Sequence, residues 1–405
     1  MNNLINTKKN RKSDEEIITL AHSLWPKIIQ KMREEGNILE YKKNKKLWGY
    51  MEIESCDEPI TILSWLNTVG CAHTYKNGCT MCHYNLRYKI RKIGIKKMML
   101  ACDELLSFLE MKNEVNEYGT FVIFPGGSFL DESEIPKEIR EYILKRIAKN
   151  KKNYKKTLFR TDTRLEYVNE KNIIEIRKIL GDDSIIKFGF GMESTNKLIR
   201  EACVNKDLTS DFLDRLMILR NNNIYITASV LLKPPFLTEK EAIEDTLNSV
   251  KELLDNNLVD HVNVMTMSSK PLTIVRKLEE MGLYKLPSIW STIEVIKLLG
   301  PNYGDRLSFR GLIMGDTLDD TRSAHGCNEC SNKIMPQLLK ISKYTPKKWK
   351  EFIRLANSID CKCKKEWKKE INLKPKLNLQ ERIVHGIGTL VNEYRLNKYE
   401  EKFKK

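Results

Sequence analysis

The chain predicts an α/β fold, a partial (β/α)6 barrel with an N-terminal helical extension and a C-terminal cysteine-rich metal module. Three observations carry that reading. From residue 60 an apolar, strand-like run is followed by a helical period, and the alternation occurs six times. The runs read as near-continuous apolar strands, as suits strands covered on both faces of a parallel sheet. The alternation then breaks after residue 290, and two close cysteine pairs follow. Right-handed crossovers curl consecutive parallel strands into a barrel with its helices outside.

Ahead of the barrel, Ser13-Asp-Glu-Glu16 reads as a capping box. It opens a helix through Leu24, Ile28, Ile29 and Met32, with Pro26 expected to kink it or end its first part. Residues 42–46 form a basic, solvated connection. Strands are expected at 60–69, 119–124, 156–162, 185–190, 224–232 and 259–267. Helices fall at 96–110, 136–148, 170–180, 196–202 with 210–221, 239–256 and 271–281. The tail from residue 380 is a basic amphipathic helix with Ile383, Ile387, Leu390 and Tyr394 on one face, expected to dock on the body. The chain thus divides into an extension at 1–59, the barrel at 60–290 and the metal-binding helical module at 291–405.

The net charge is +16, with Lys+Arg 70 against Asp+Glu 54. That excess favours a polyanionic partner, nucleic acid first, although the Lys-, Asn- and Ile-rich usage of an AT-rich genome produces the same balance. No run of eighteen apolar residues occurs, and the first residues lack a signal-peptide core. The expectation is a soluble, cytoplasmic protein with no membrane partner. Ten cysteines in a reducing compartment point to metal ligation rather than disulfides.

Cys71, Cys79 and Cys82 are spaced Cys-x7-Cys-x2-Cys where the first strand hands over to a loop. A tetrahedral zinc needs a fourth protein ligand, which His73 or His83 would supply. A [4Fe–4S] cluster held by three thiolates leaves one iron open to a substrate or cofactor, as in radical S-adenosylmethionine (SAM) enzymes. Cys71, Gly126-Gly127-Ser128, Asp162, Glu193 and Lys233 all fall at C-terminal strand ends, where barrels keep their reactive groups, and this favours the cluster. Cys327-x2-Cys330 and Cys361-x-Cys363 can enclose a second metal, zinc first, with an auxiliary cluster as the other possibility. Cys56, Cys102 and Cys203 read as small core hydrophobes.

Several stretches together resemble one family. Gly78-Cys-Thr-Met-Cys82, Gly127-Ser-Phe-Leu-Asp131, Leu231-Leu-Lys-Pro-Pro-Phe-Leu237 and the terminal cysteine pairs with Trp367 resemble the archaeosine-forming radical SAM enzymes, which are close to the elongator-type radical SAM proteins. The resemblance implies a [4Fe–4S] cluster, SAM cleavage and a 5′-deoxyadenosyl radical. It also implies a lysine-conjugated 7-deazaguanine in tRNA as substrate, with cleavage of a C–N bond in the lysine side chain. Flavodoxin or ferredoxin as electron donor and a lysine-transferring partner enzyme belong to the same expectation. Two departures stand out: Arg322-Ser-Ala-His325-Gly-Cys327 keeps only part of the family's Arg-Gly-Pro-His-Asn-Cys, and Asn263–Lys270 is less polar than the family's substrate-reading segment.

Met81 is expected near the SAM adenine, and Gly126 and Gly127 where a ligand approaches the backbone. Ser128 is expected on the SAM amino group, Glu193 on its ribose and Arg164 on its carboxylate. Asp162 stands with them, a salt-bridge layer with Arg160 being its plainer role. Lys233, Arg322 and His325 are expected at the reaction chamber, Lys233 as a cation for a phosphate or carboxylate. Two rivals remain. One keeps the chemistry but acts on a free small molecule or peptide; the other is an RNA-binding zinc protein without redox chemistry.

Overall fold

A computed structural model of the chain describes residues 12–35, 47–55, 58–76, 78–82, 93–114, 117–310, 322–324, 326–340 and 346–396. Helix α1 (Asp14–Glu35) starts at the expected capping box, with Ser13 and Glu16 bonded reciprocally. It continues through Pro26 as one element, its Trp25, Ile28 and Ile29 buried. Strands β1 (Trp48–Ser55) and β2 (Glu58–Leu66) form an antiparallel pair. The short α2 (Ala72–Lys76) and α3 (Ile95–Asn113) follow. The repeat then runs β3 (Tyr118–Phe124), α4 (Lys137–Asn150), β4 (Lys156–Asp162), α5 (Glu170–Leu180) and β5 (Ile185–Glu193). A π-helical turn at Ile199–Cys203 precedes α6 (Phe212–Asn221), β6 (Ile224–Leu232), α7 (Glu239–Asp255) and β7 (His261–Thr266). After α8 (Ile274–Glu280) and α9 (Ile289–Tyr303), β8 (Leu307–Arg310) completes the sheet.

The eight strands lie side by side in chain order, and β2 to β8 are parallel. β1 and β8 are opposite edges, so the barrel stays open. All six expected strands are present. Two were missed: β1, placed in the helical extension, and β8, whose four residues are too few to show a period. The repeat therefore passes residue 290 by a further helix and strand. Alternation gives the sheet two faces. Phe159, Ile186, Phe188, Ile226 and Val262 share one, buried with the helices in the apolar core. The other face is mixed: Arg160, Asp162 and Lys187 stand on it beside Leu158, Tyr225 and Met265.

Helices α10 (Asn328–Lys340), α11 (Pro346–Ser358), α12 (Lys362–Glu370) and α13 (Leu379–Glu393) close the chain. α13 docks on the body as expected, burying Ile383, Ile387 and Leu390. Its Arg382 donates to Phe236 O at 2.7 Å, and Gly386 stands where a Cβ would meet the Phe236 ring at 2.3 Å. α1 packs against α13, and Trp25 Nε1 donates to Ala202 O at 2.8 Å. Cys102 and Cys203 are fully buried, as core residues should be; Cys56 lies outside the described residues.

Candidate active site and metal centre

The loop leaving β2 carries Cys71, Cys79 and Cys82, and its course is fixed by the segment after β5. Thr80 N donates to Val204 O at 2.9 Å and Thr80 Oγ1 to Cys203 O at 2.8 Å. Asn205 Nδ2 donates to Gly78 O at 2.6 Å. Gly78 and Asn205 both hold positive φ, 73° and 59°, the region that Gly and Asn enter most readily. His73 does not face a metal position: its Nε2 is 2.9 Å from Asn205 O and its Nδ1 3.8 Å from Asp207. The zinc reading of this loop loses that ligand, and His83 lies outside the described residues.

Gly126, Gly127 and Ser128 follow β3 and touch the cysteine loop. A Cβ on Gly127 would lie 2.4 Å from Cys71 Cα, so the approach of that loop itself demands glycine. Two of their backbone donors are already engaged within the protein. Gly127 N and Ser128 N donate to the Glu134 carboxylate at 2.7 and 2.6 Å, and Thr68 Oγ1 donates to it at 2.5 Å. Ser128 is buried, its Oγ accepting from Arg164 N at 3.0 Å. The glycine loop is thus a clasp between the ends of β2, β3 and β4. Burial pushes the Glu134 carboxyl up to about 7, against those three hydrogen bonds. Sequence reasoning missed Glu134, because an acid seven residues beyond Gly127 belongs to no motif.

Cations gather at the thiols. Arg164 pairs with Glu166 and, at 3.3 Å, with Asp207. Burial works against its charge, but Glu166, Cys79 and Cys71 more than offset it. Glu193, in the left-handed region at φ 64°, holds Lys206 Nζ at 2.7 Å. Gly191 leaves room for that pair, since a Cβ there would lie 2.1 Å from both charged atoms. Burial opposes the Lys206 charge, while Glu193 and Cys79 favour it and prevail. The Cys79 thiol is pushed well up by burial, with Lys206 and Arg164 pulling the other way. Such a sulfur becomes a thiolate where a metal ion joins the two cations. Lys206 is a second residue the sequence did not reveal.

Asp162 projects across Gly189, where a Cβ would lie 2.2 Å from its Oδ1; burial pushes its carboxyl up and Arg160 and Lys206 draw it down. Met81 is partly buried against the apolar core. Lys233 is corrected: it is 3% exposed, and its Nζ lies 2.5 Å from the Glu239 carboxylate, itself 1% exposed. A lysine so enclosed does not reach a phosphate. Arg322 pairs its backbone with Ser269 and its side chain, at 3.5 Å, with Glu279. His325 lies outside the described residues.

Cys327, Cys330, Cys361 and Cys363 converge, their ligand atoms all within 4.8 Å of one another. The sulfur separations are 3.7 Å for Cys327–Cys330 and 3.4 Å for Cys330–Cys363 and Cys361–Cys363. A tetrahedron with metal–sulfur bonds of about 2.3 Å has edges of about 3.8 Å, so one metal ion fits. Cys330 sits in the first turn of α10 and Cys363 in that of α12, where helix dipoles favour thiolate. Trp290 Nε1 and Cys327 N both donate to Cys363 Sγ at 3.3 Å.

An open parallel half-barrel with three cysteines after its first parallel strand and a cysteine-rich module behind it is the architecture expected above of a radical SAM barrel. No family model matches the chain. The uncharacterized protein MJ0550 of Methanocaldococcus jannaschii is 30% identical over 345 residues, 82% of this chain and 89% of that one. The archaeosine synthase subunit beta of Methanosarcina acetivorans is 26% identical over 80% of this chain and 89% of its own. That of Thermococcus kodakarensis is 26% identical over 57% and 69%. Among solved structures, Methanocaldococcus infernus Elp3 superposes with a TM-score of 0.45 at 16% identity, over 59% of each chain. Methylornithine synthase gives 0.40 at 13%, over 85% of this chain and 97% of that one. The chain belongs to one family with MJ0550 and the archaeosine synthase beta subunits.

Proposed function

We propose that the chain is a radical SAM enzyme of archaeosine formation, acting on a lysine-conjugated 7-deazaguanine in tRNA. One observation carries this reading: the three-cysteine loop is clasped through Gly127 onto the strand ends, where Arg164 and Lys206 stand paired with Glu166 and Glu193. Cys71, Cys79 and Cys82 would hold a [4Fe–4S] cluster, each on its own iron, leaving the fourth iron open. Bound there with SAM, the cluster supplies a 5′-deoxyadenosyl radical for hydrogen abstraction and C–N cleavage. The polypeptide binds, orients and excludes water. Glu193 and Asp162 offer acceptors at the strand ends, Arg164 a guanidinium, and Met81 apolar cover. Cys327, Cys330, Cys361 and Cys363 would hold zinc, a reading the sulfur spacing supports. The name of the beta-subunit relatives supports a further subunit, which would be the lysine-transferring enzyme, and reduction would need a donor such as flavodoxin or ferredoxin.

The test is anaerobic reconstitution followed by SAM addition. About four irons at the first site, and an EPR signal that SAM perturbs, are expected. Cys71, Cys79 and Cys82 replaced together by Ala should lose both. Zinc at that site without iron would sink the radical reading. Affinity for tRNA should fall steeply with salt as counterions are released; weak affinity that is flat with salt would move the substrate to a free small molecule or peptide.

A further inference from the structure

Two large aromatic side chains stand side by side on the inner face of the half-barrel, the face turned away from the helices. Trp65 of β2 is the register partner of Phe124 of β3. Their chain neighbours Ser64, Leu66 and Ile123 point to the opposite face and are buried. Trp65 is 38% exposed and Phe124 partly exposed, whereas branched side chains normally fill a barrel interior. Both strands end at the cysteine loop, which follows β2 and meets Gly127 beyond β3.

The row continues across the sheet. Val122 pairs with Arg160, so two residues further on Phe124 stands level with Asp162, which pairs with Gly189. Glycines open this row at two points. Gly49 of β1 pairs with Trp65, and a Cβ there would meet the indole at 2.6 Å. A Cβ on Gly189 would meet Asp162 Oδ1 at 2.2 Å. The indole therefore leans towards β1 and the carboxylate towards β5, each away from the Phe124 ring between them. Arg160 places its guanidinium carbon 5.6 Å from the centre of that ring. Among the described residues the Asp162 carboxylate takes no hydrogen bond: burial raises its carboxyl, and the opposing pull comes from the charges of Arg160 and Lys206.

We propose that Trp65, Phe124 and Asp162 form the subsite for the base of the substrate, a planar heterocycle of the guanine type. The proposal rests on reading the half-barrel as the chamber of a radical enzyme, and it gives the ring a place there. Aromatic side chains stack on any base, because every base has a π-face. A ring lying on Trp65 and Phe124 turns its edge to the next position of the row, which is Asp162. That residue carries the selectivity. An ionised carboxylate only accepts, and its two oxygens match two adjacent N–H donors, the ring N–H and the amino group shared by guanine and 7-deazaguanine. Adenine sets a ring nitrogen acceptor beside its amino group and is refused.

The test uses the purified full chain without SAM or reductant, so it reads base binding separately from cluster loading and radical formation, which the EPR experiment tests. Calorimetric titration should show saturable binding of 7-deazaguanosine and guanosine, with adenosine about tenfold weaker or more. Trp65→Leu should weaken guanosine binding about tenfold or more, and Trp65→Phe far less, since a π-face remains. Asp162→Asn replaces one acceptor by a donor and should erase the preference for guanosine over adenosine. A purely structural carboxylate would lower both affinities together, and that result would overturn the proposal. So would absence of saturable guanosine and 7-deazaguanosine binding, or unchanged guanosine affinity in Trp65→Leu. Tighter binding of adenosine than of guanosine would assign the row to the adenine of SAM and overturn it as well.

Discussion

Trp367 Nε1 donates to Ser291 Oγ at 2.8 Å, fastening the helix that carries Cys363 to the start of α9. Ser291 Oγ in turn donates to Glu239, whose carboxylate also takes Ser288 N at 3.2 Å and the Lys233 ammonium. A buried polar chain therefore joins the metal module to the end of β6. Ser291→Ala should destabilise the protein by about 1–3 kcal/mol, because Glu239 loses a donor inside the fold. Chemical denaturation measures this directly, and an unchanged midpoint would contradict it.

Lys233 is a structural cation. Lys233→Met should cost about 3–5 kcal/mol by leaving Glu239 charged and buried, and Lys233→Met with Glu239→Gln should recover most of that loss. If the double variant is as stable as wild type yet inactive, Lys233 has a chemical role in addition.

The four-cysteine site should bind about one metal ion, independent of iron at the first site. Its removal by a strong chelator should alter the fluorescence of Trp290 and Trp367 first, since Trp290 lies on Cys363 Sγ. Hydrogen exchange should rise in α12 and α9 before the rest of the sheet. A second set of iron and sulfide in place of one zinc would refute the zinc assignment.

Gly127→Ala would press a methyl against Cys71, with Glu134 on its other side. The expected cost is about 1–3 kcal/mol, with poorer iron loading than in Gly126→Ala, whose nearest neighbours stand at 3.3 Å or more. Equal loading of the two variants would remove the clasp from the argument.

Stability should fall in mild acid through His261. Its folded pKa, about 4, is below the ordinary 6.5, so its contribution is fully present above 6.5 and is lost as pH falls through about 4. The charges that face it are Arg160, Lys187, Arg310 and Arg306. His261→Gln should flatten this part of the pH–stability curve; an identical slope in both proteins would count against it.

The parallel strands were legible because continuous apolar runs have few other destinations. β1 was not, since Trp48-Gly-Tyr-Met-Glu-Ile-Glu-Ser55 mixes polar and apolar residues as a sheet edge does. The cysteine positions were legible from spacing. The four at the C-terminal end do converge, whereas His73 was drawn away by a backbone carbonyl 132 residues distant. Lys206, Glu134, Trp65 and Phe124 were hidden for one physical reason. Their meaning depends on which strands become neighbours, and that register is not written locally.

The bonds from Thr80 to Cys203 O and from Asn205 to Gly78 O span 123 and 127 residues. A nascent chain that has emerged only as far as its three cysteines therefore lacks the groups that shape their loop. Iron delivered during synthesis would meet pliable thiols, exposed to oxygen and to competing metals. A cluster held by these thiols would be inserted only after β5 and the π-turn have left the ribosome and folded.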